Sequence, residues 1–94
     1  MKDFFIYILK CSDGSYYIGH TDDIEKRISE HKQGFYEGYT SSRRPVSLVY
    51  IEPIGSRDAA IEAERKLKGW SRKKKELLIS NGWKGVKGSW RFLK

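Results

Sequence analysis

The sequence predicts an α+β fold: a small three-stranded antiparallel sheet flanked by about three helices, in the order β-β-α-β-α-α. Three observations carry that expectation. The run Phe4-Phe5-Ile6-Tyr7-Ile8-Leu9 is aromatic and β-branched, apolar on both faces and too short for a helix, as a central strand should be. Ser12-Asp13-Gly14 separates it from Tyr16-Tyr17-Ile18-Gly19, which makes a hairpin. Downstream, helical segments open at a capping Asp or Ser and close at a glycine.

Each element has a local cause. Asp22, with Glu25 three residues on, forms a capping pair for the first helix, and Gly34 closes it after Lys32. Gly34 to Pro45 reads as a polar loop rich in Tyr, Ser and Arg. Val46 to Ile51 is a third strand, broken by Pro53 and Gly55. A second helix starts at Ser56 or Asp58, runs to Lys68 and ends at Gly69. Ser71 caps a third helix, Arg72 to Ile79, with Gly82 beyond it. Residues 1–81 are thus expected to form one domain, and residues 82–94 a basic, aromatic, Gly-rich tail. Trp83 and Trp90 in that tail either pack on the domain or stack on unpaired bases.

Composition narrows the class. A chain of 94 residues has room for one core. Its aromatic content of 14% is more than a disordered chain carries. The longest apolar run, Phe4 to Leu9, falls far short of the roughly 20 residues that span a bilayer, and the first residues lack a secretory cleavage pattern. The single cysteine, Cys11, excludes an internal disulfide and a multi-cysteine zinc finger. The expectation is a cytoplasmic protein with no membrane partner.

The charge is uneven. The net charge is +7, yet residues 1–47 hold 7 basic and 7 acidic side chains. All the excess lies in the second half, densest at Arg65, Lys66, Lys68, Arg72, Lys73, Lys74 and Lys75. Such a cluster suits a polyanion, most often nucleic acid; the plainer reading is a solvated helix surface.

Three polar side chains sit where apolar ones are usual. On the first helix, Arg27 and His31 are i,i+4 neighbours beside the stripe of Ile24 and Ile28. Arg27 could simply snorkel along the core edge. On the second helix, Glu64 falls within the stripe of Ala60, Ala63 and Leu67. A carboxylate there is either ion-paired, with Arg27 the natural partner, or a metal ligand or acid–base group. The hairpin is ambiguous too. A two-residue Asp13-Gly14 turn would put Tyr7 and Tyr17 on opposite faces; a three-residue loop with Gly14 left-handed would put them on one.

The set Phe5-Ile6-Tyr7, Tyr17-Ile18-Gly19, Arg27, His31 and Glu64 resembles the GIY-YIG nuclease family. The runs from Tyr17 to Arg27 and from Ala60 to Trp70 carry the resemblance most specifically, and the tract from Tyr39 to Pro45 adds to it. The chain looks like one of the family's small single-domain members. Phe5 stands where the family name has its first glycine, and His20 where many members carry Lys.

The resemblance implies a metal-dependent endonuclease, with structure-selective DNA processing or repair as the expected role. Its implied catalytic residues are Tyr7, Tyr17, Arg27, His31 and Glu64. Glu64 would hold one Mg2+ or Mn2+ ion. Arg27 would bind the phosphate. Tyr7 would orient or deprotonate the attacking water, with a histidine able to take the proton onward. Tyr17 would fix the water or phosphate, and Gly19 would keep the cleft free of a side chain. His20, Arg43, Arg44, Lys68, Arg72 and Lys73 would contact substrate phosphates without reading sequence. That chemistry calls for both tyrosines on one face. The partner would be nucleic acid, DNA before RNA, and the chain a monomer. The alternative is a nucleic-acid-binding module that keeps the fold but turns nothing over without a partner. Zinc on Cys11, His20, His31 and Glu64 matches no structural spacing, and no Ser-His-Asp or Cys-His hydrolase motif is present.

Overall fold

A computed structural model describes residues 4–35 and 38–82. The expected tail, with Trp83 and Trp90, lies outside the described residues. The element order is β1 (Phe4–Lys10), β2 (Tyr16–Thr21), α1 (Ile24–Gln33), β3 (Ser47–Ile54), α2 (Arg57–Lys68) and α3 (Arg72–Asn81). The three strands form one antiparallel sheet in the order β2-β1-β3. The expected α+β class and element order are both present.

The hairpin settles on the three-residue loop. Cys11 and Ser15 close it, Gly14 takes φ +86°, and Tyr7 opposes Gly19 while Leu9 opposes Tyr17. Tyr7 and Tyr17 therefore share a face.

Alternation along β1 divides the core in two. Ile6, Ile8 and Ile18 face α2 and α3, where they bury Ala60, Ala63, Leu67 and Leu78. The two alanines let α2 lie close against the sheet. Tyr7, Leu9, Cys11 and Val46 face the other way, with Tyr17, Ile24 and Ile28 packed on them. The central strand reads as a continuous apolar run because both of its faces are covered.

Three boundaries depart from the sequence expectation. The α1 N-cap is Asp23, not Asp22: the Asp23 carboxylate accepts from Lys26 N, while Thr21 Oγ1 accepts from Asp23 N and turns the chain one residue later. Strand β3 runs through Pro53 to Ile54 instead of stopping at Ile51. It lies at the sheet's edge, where a missing backbone donor costs no ladder bond. Helix α3 continues to Asn81 before Gly82. Ser56 and Ser71 cap α2 and α3, as their position in the sequence suggested.

Candidate active site

Strand β2 is also an edge strand, and the site is built around its free side. Tyr17 and Gly19 point to the α1 face. His20, opposite Ile6, points to the α2 face. At the edge the two faces meet, and Tyr17, Gly19, His20, Arg27 and Glu64 line one cleft of about 230 Å3. Helix α1 supplies the guanidinium from one side of the sheet and α2 the carboxylate from the other.

Glu64 is mostly buried, its side chain 18% exposed. Its partner is not Arg27. His20 Nδ1 donates to Glu64 Oε1 at 2.5 Å, and Lys68 Nζ, one turn along α2, donates to Oε2 at 2.7 Å. The reason is positional: Arg27 reaches the cleft from the opposite face, where it donates to the His20 carbonyl at 3.4 Å and pairs with Glu30 at 3.5 Å. Burial works against the charge on Glu64, but the hydrogen bonds and charges of Lys68 and His20 outweigh it and hold the carboxyl below its ordinary range. An ionised carboxylate only accepts, so the His20 Nδ1 carries the proton.

Behind the cleft lies a second polar group. Tyr7 and His31 are fully buried, and Tyr7 Oη lies 2.9 Å from His31 Nε2. His31 Nδ1 lies 2.7 Å from Thr40 Oγ1, also fully buried. The Tyr17 ring packs 5.1 Å from the His31 ring and 6.3 Å from Tyr7. Burial, and then the charge of Arg27, push the His31 pKa down to about 4, with Glu30 opposing. The imidazole is neutral at pH 7. Ile24 and Ile28, expected as the inner face of α1, are only half-buried; His31 is the deepest residue of that helix.

Tyr7 does not stand on the cleft wall. Its hydroxyl lies against Gly19, where a Cβ would sit 2.5 Å from Oη. Gly19 was expected to keep space for substrate; the space is filled by the Tyr7 phenol, and the glycine is what lets the two strands accept that ring.

The remaining expected phosphate contacts are spread out. Arg43 donates through Nε to Asp13 at 3.2 Å and through Nη1 to the Tyr39 carbonyl at 2.8 Å, and its guanidinium lies 3.9 Å over the Tyr39 ring. Tyr39 in turn stacks on Tyr17 at 6.1 Å. Arg43 thus clasps the hairpin to the loop rather than pointing outward. Arg44 is exposed, with Nε on the Ser41 carbonyl. Arg72 pairs with Glu76 at 3.0 Å and covers the Tyr16 ring, and Lys73 is exposed on α3. Thr40 and Tyr39 were missed as parts of the site; only their place in the tract from Tyr39 to Pro45 singled them out.

Among the described residues no three His, Cys, Asp or Glu side chains cluster as metal ligands. A single ionised carboxylate on an open wall fits a hard, largely hydrated cation that also binds substrate phosphates, and does not fit structural zinc. Among the described residues no helix is long and apolar enough to cross a membrane.

Comparison with known proteins gives the chain's family. Residues 3–77 match the GIY-YIG catalytic domain. A UPF0213 protein of Staphylococcus saprophyticus is 49% identical over 82 residues, which are 87% of this chain and 100% of that relative. The solution NMR structure of a UPF0213 protein from Bacillus halodurans aligns at TM-score 0.55 and 36% identity, covering 93% of this chain and 96% of that one. The solution NMR structure of a protein from E. faecalis aligns at TM-score 0.60 and 38% identity over 85% of each chain.

Proposed function

The chain belongs to the GIY-YIG nuclease family, and on that premise we propose that it hydrolyses phosphodiester bonds in nucleic acid, with DNA of irregular structure as the favoured substrate and a divalent cation as cofactor. The observation that carries the reading is the cleft in which Arg27 and Glu64 converge with Tyr17, Gly19 and His20. Its volume of about 230 Å3 equals roughly eight water molecules at about 30 Å3 each, room for a phosphate and a hydrated ion.

Arg27 binds the non-bridging phosphate oxygens through its planar fork. Glu64 would hold Mg2+ or Mn2+, with His20 steadying the carboxylate. When bound, the ion supplies Lewis-acid stabilisation of the leaving oxygen. Lys68, half-exposed on a flexible stem, swings from Glu64 to a phosphate. Tyr17 hydrogen-bonds the water or the phosphate from the wall. Tyr7, fully buried behind the Gly19 backbone, would accept from the attacking water once substrate binding opens that wall. With a pKa near 4, His31 is a weak proton acceptor, so its part is to hold the Tyr7 phenol in place. The exposed bases of α2 and α3 grip flanking phosphates whatever the sequence, which suits selection by substrate shape.

Two observations favour the second reading, a binding module silent without a partner: both Glu64 oxygens are engaged, and Tyr7 is fully buried. A cleavage screen separates the two. Branched, flapped, damaged and single-stranded DNA and RNA are incubated with the chain across a Mg2+ or Mn2+ titration. Metal-dependent nicking supports the nuclease; salt-sensitive binding with no nicking of any substrate supports the module.

A further inference from the structure

Thr40, in the loop between α1 and β3, has no solvent-exposed surface, and its only side-chain polar atom lies 2.7 Å from His31 Nδ1. Across the same ring, Nε2 lies 2.9 Å from the equally buried Tyr7 hydroxyl. A neutral imidazole has one N–H, so one ring nitrogen donates and the other accepts. Either Tyr7 donates to Nε2 and Nδ1–H donates to Thr40, or Thr40 donates to Nδ1 and Nε2–H donates to Tyr7.

The chemistry of the two hydroxyls decides between them. A phenol, with a pKa of about 10, gives its proton to a hydrogen bond far more readily than an aliphatic alcohol. Its ring also draws density from the oxygen, so it accepts less well. The better pairing puts the phenol proton on imidazole nitrogen and the imidazole proton on the alcohol. We infer that Thr40 is a positioning residue: by accepting from His31 Nδ1 it fixes the imidazole tautomer, directs the Tyr7 proton inward to Nε2, and leaves the Tyr7 oxygen with its acceptor side toward Gly19 and the cleft.

The orientation matters for the nuclease reading, on which this consequence rests. Once substrate binding admits water past Gly19, a Tyr7 oxygen with its proton turned inward accepts from the attacking water and aims the water's lone pair at phosphorus. The opposite tautomer would present a proton to the water and turn the nucleophile away. Burial keeps the ring neutral at working pH, so a tautomer, rather than a charged imidazolium, is what Thr40 selects.

Long-range 1H–15N NMR of the histidine rings tests this on the whole chain with neither metal nor substrate. The expected result is a protonated Nδ1 and an unprotonated Nε2 for His31. Thr40→Val removes the acceptor while keeping the shape; it should shift His31 toward the Nε2–H tautomer and lower kcat about 100-fold with KM unchanged. Thr40→Ser should restore both. A wild-type His31 protonated at Nε2, or a Thr40→Val chain with the wild-type tautomer, overturns the inference. The tautomer needs no turnover to be read, so a chain that cleaves nothing would sink the nuclease reading and leave this one decided by the spectrum. If Thr40→Val does not fold, the wild-type spectrum and Thr40→Ser still decide it.

Discussion

Gly19 and Tyr7 face each other across β1 and β2, and a Cβ on Gly19 would lie 2.5 Å from the Tyr7 hydroxyl and 2.6 Å from its ring carbon. The glycine of the second strand is therefore fixed by the tyrosine of the first. Tyr7 cannot yield easily, because its hydroxyl is anchored on His31 and its ring is buried. Gly19→Ala should cost about 1–3 kcal/mol through overpacking and should part Tyr7 from His31. Chemical denaturation gives the first quantity, and the His31 ring nitrogen shifts report the second. A variant with wild-type midpoint and wild-type His31 shifts would contradict the packing described for this pair.

His31 ties stability to pH. Its pKa is about 4 in the folded chain against an ordinary value of 6.5. Below pH 6.5 the unfolded chain takes up a proton that the folded chain refuses, so stability falls as pH drops from 6.5 toward 4 and is complete above 6.5. The shift corresponds to roughly 3 kcal/mol. Urea midpoints measured from pH 7.5 to pH 4 should decline over that window, and less steeply in His31→Gln. Parallel declines in the two chains would mean that other groups cause the loss.

The clasp formed by Arg43, Asp13 and Tyr39 separates structural from phosphate-binding arginines. Lys73→Ala should lower the slope of log binding constant against log salt by about 0.9, the value of one lost phosphate contact. Arg43→Ala should leave that slope alone and lower the denaturation midpoint. An Arg43→Ala slope reduced as much as that of Lys73→Ala would return Arg43 to the phosphate contacts.

Much of the fold was legible because it depends on neighbours in sequence. The side-chain period of two narrowed the hairpin to two registers, and Gly14 at the third loop position suits the one observed, with both tyrosines on one face. Ser56, Ser71, Gly34 and Gly69 marked helix ends through local capping. The residues around the cleft were legible only as a set. Glu64 and Arg27 reach it from opposite faces, and they meet because β2 has no outer neighbour among the described residues, a matter of strand order that no local pattern carries. His31 escaped as the deepest residue of α1 because a polar side chain looks like the rim of an apolar stripe until its two buried partners are known. Thr40 came to it across a polar loop, a contact set by tertiary packing alone.

The nuclease reading depends on the Glu64 carboxylate above all else. The most direct measurement is the single-turnover cleavage rate of wild type and Glu64→Gln, side by side in magnesium, on a substrate that both bind equally. Gln keeps the shape of the side chain and one acceptor oxygen but removes the charge that holds the ion, and with an NH2 in place of the other oxygen it can no longer accept from both His20 and Lys68. A loss of at least about 100-fold, or about 3 kcal/mol of transition-state stabilisation, is the predicted result. Equal rates in the two chains would contradict it.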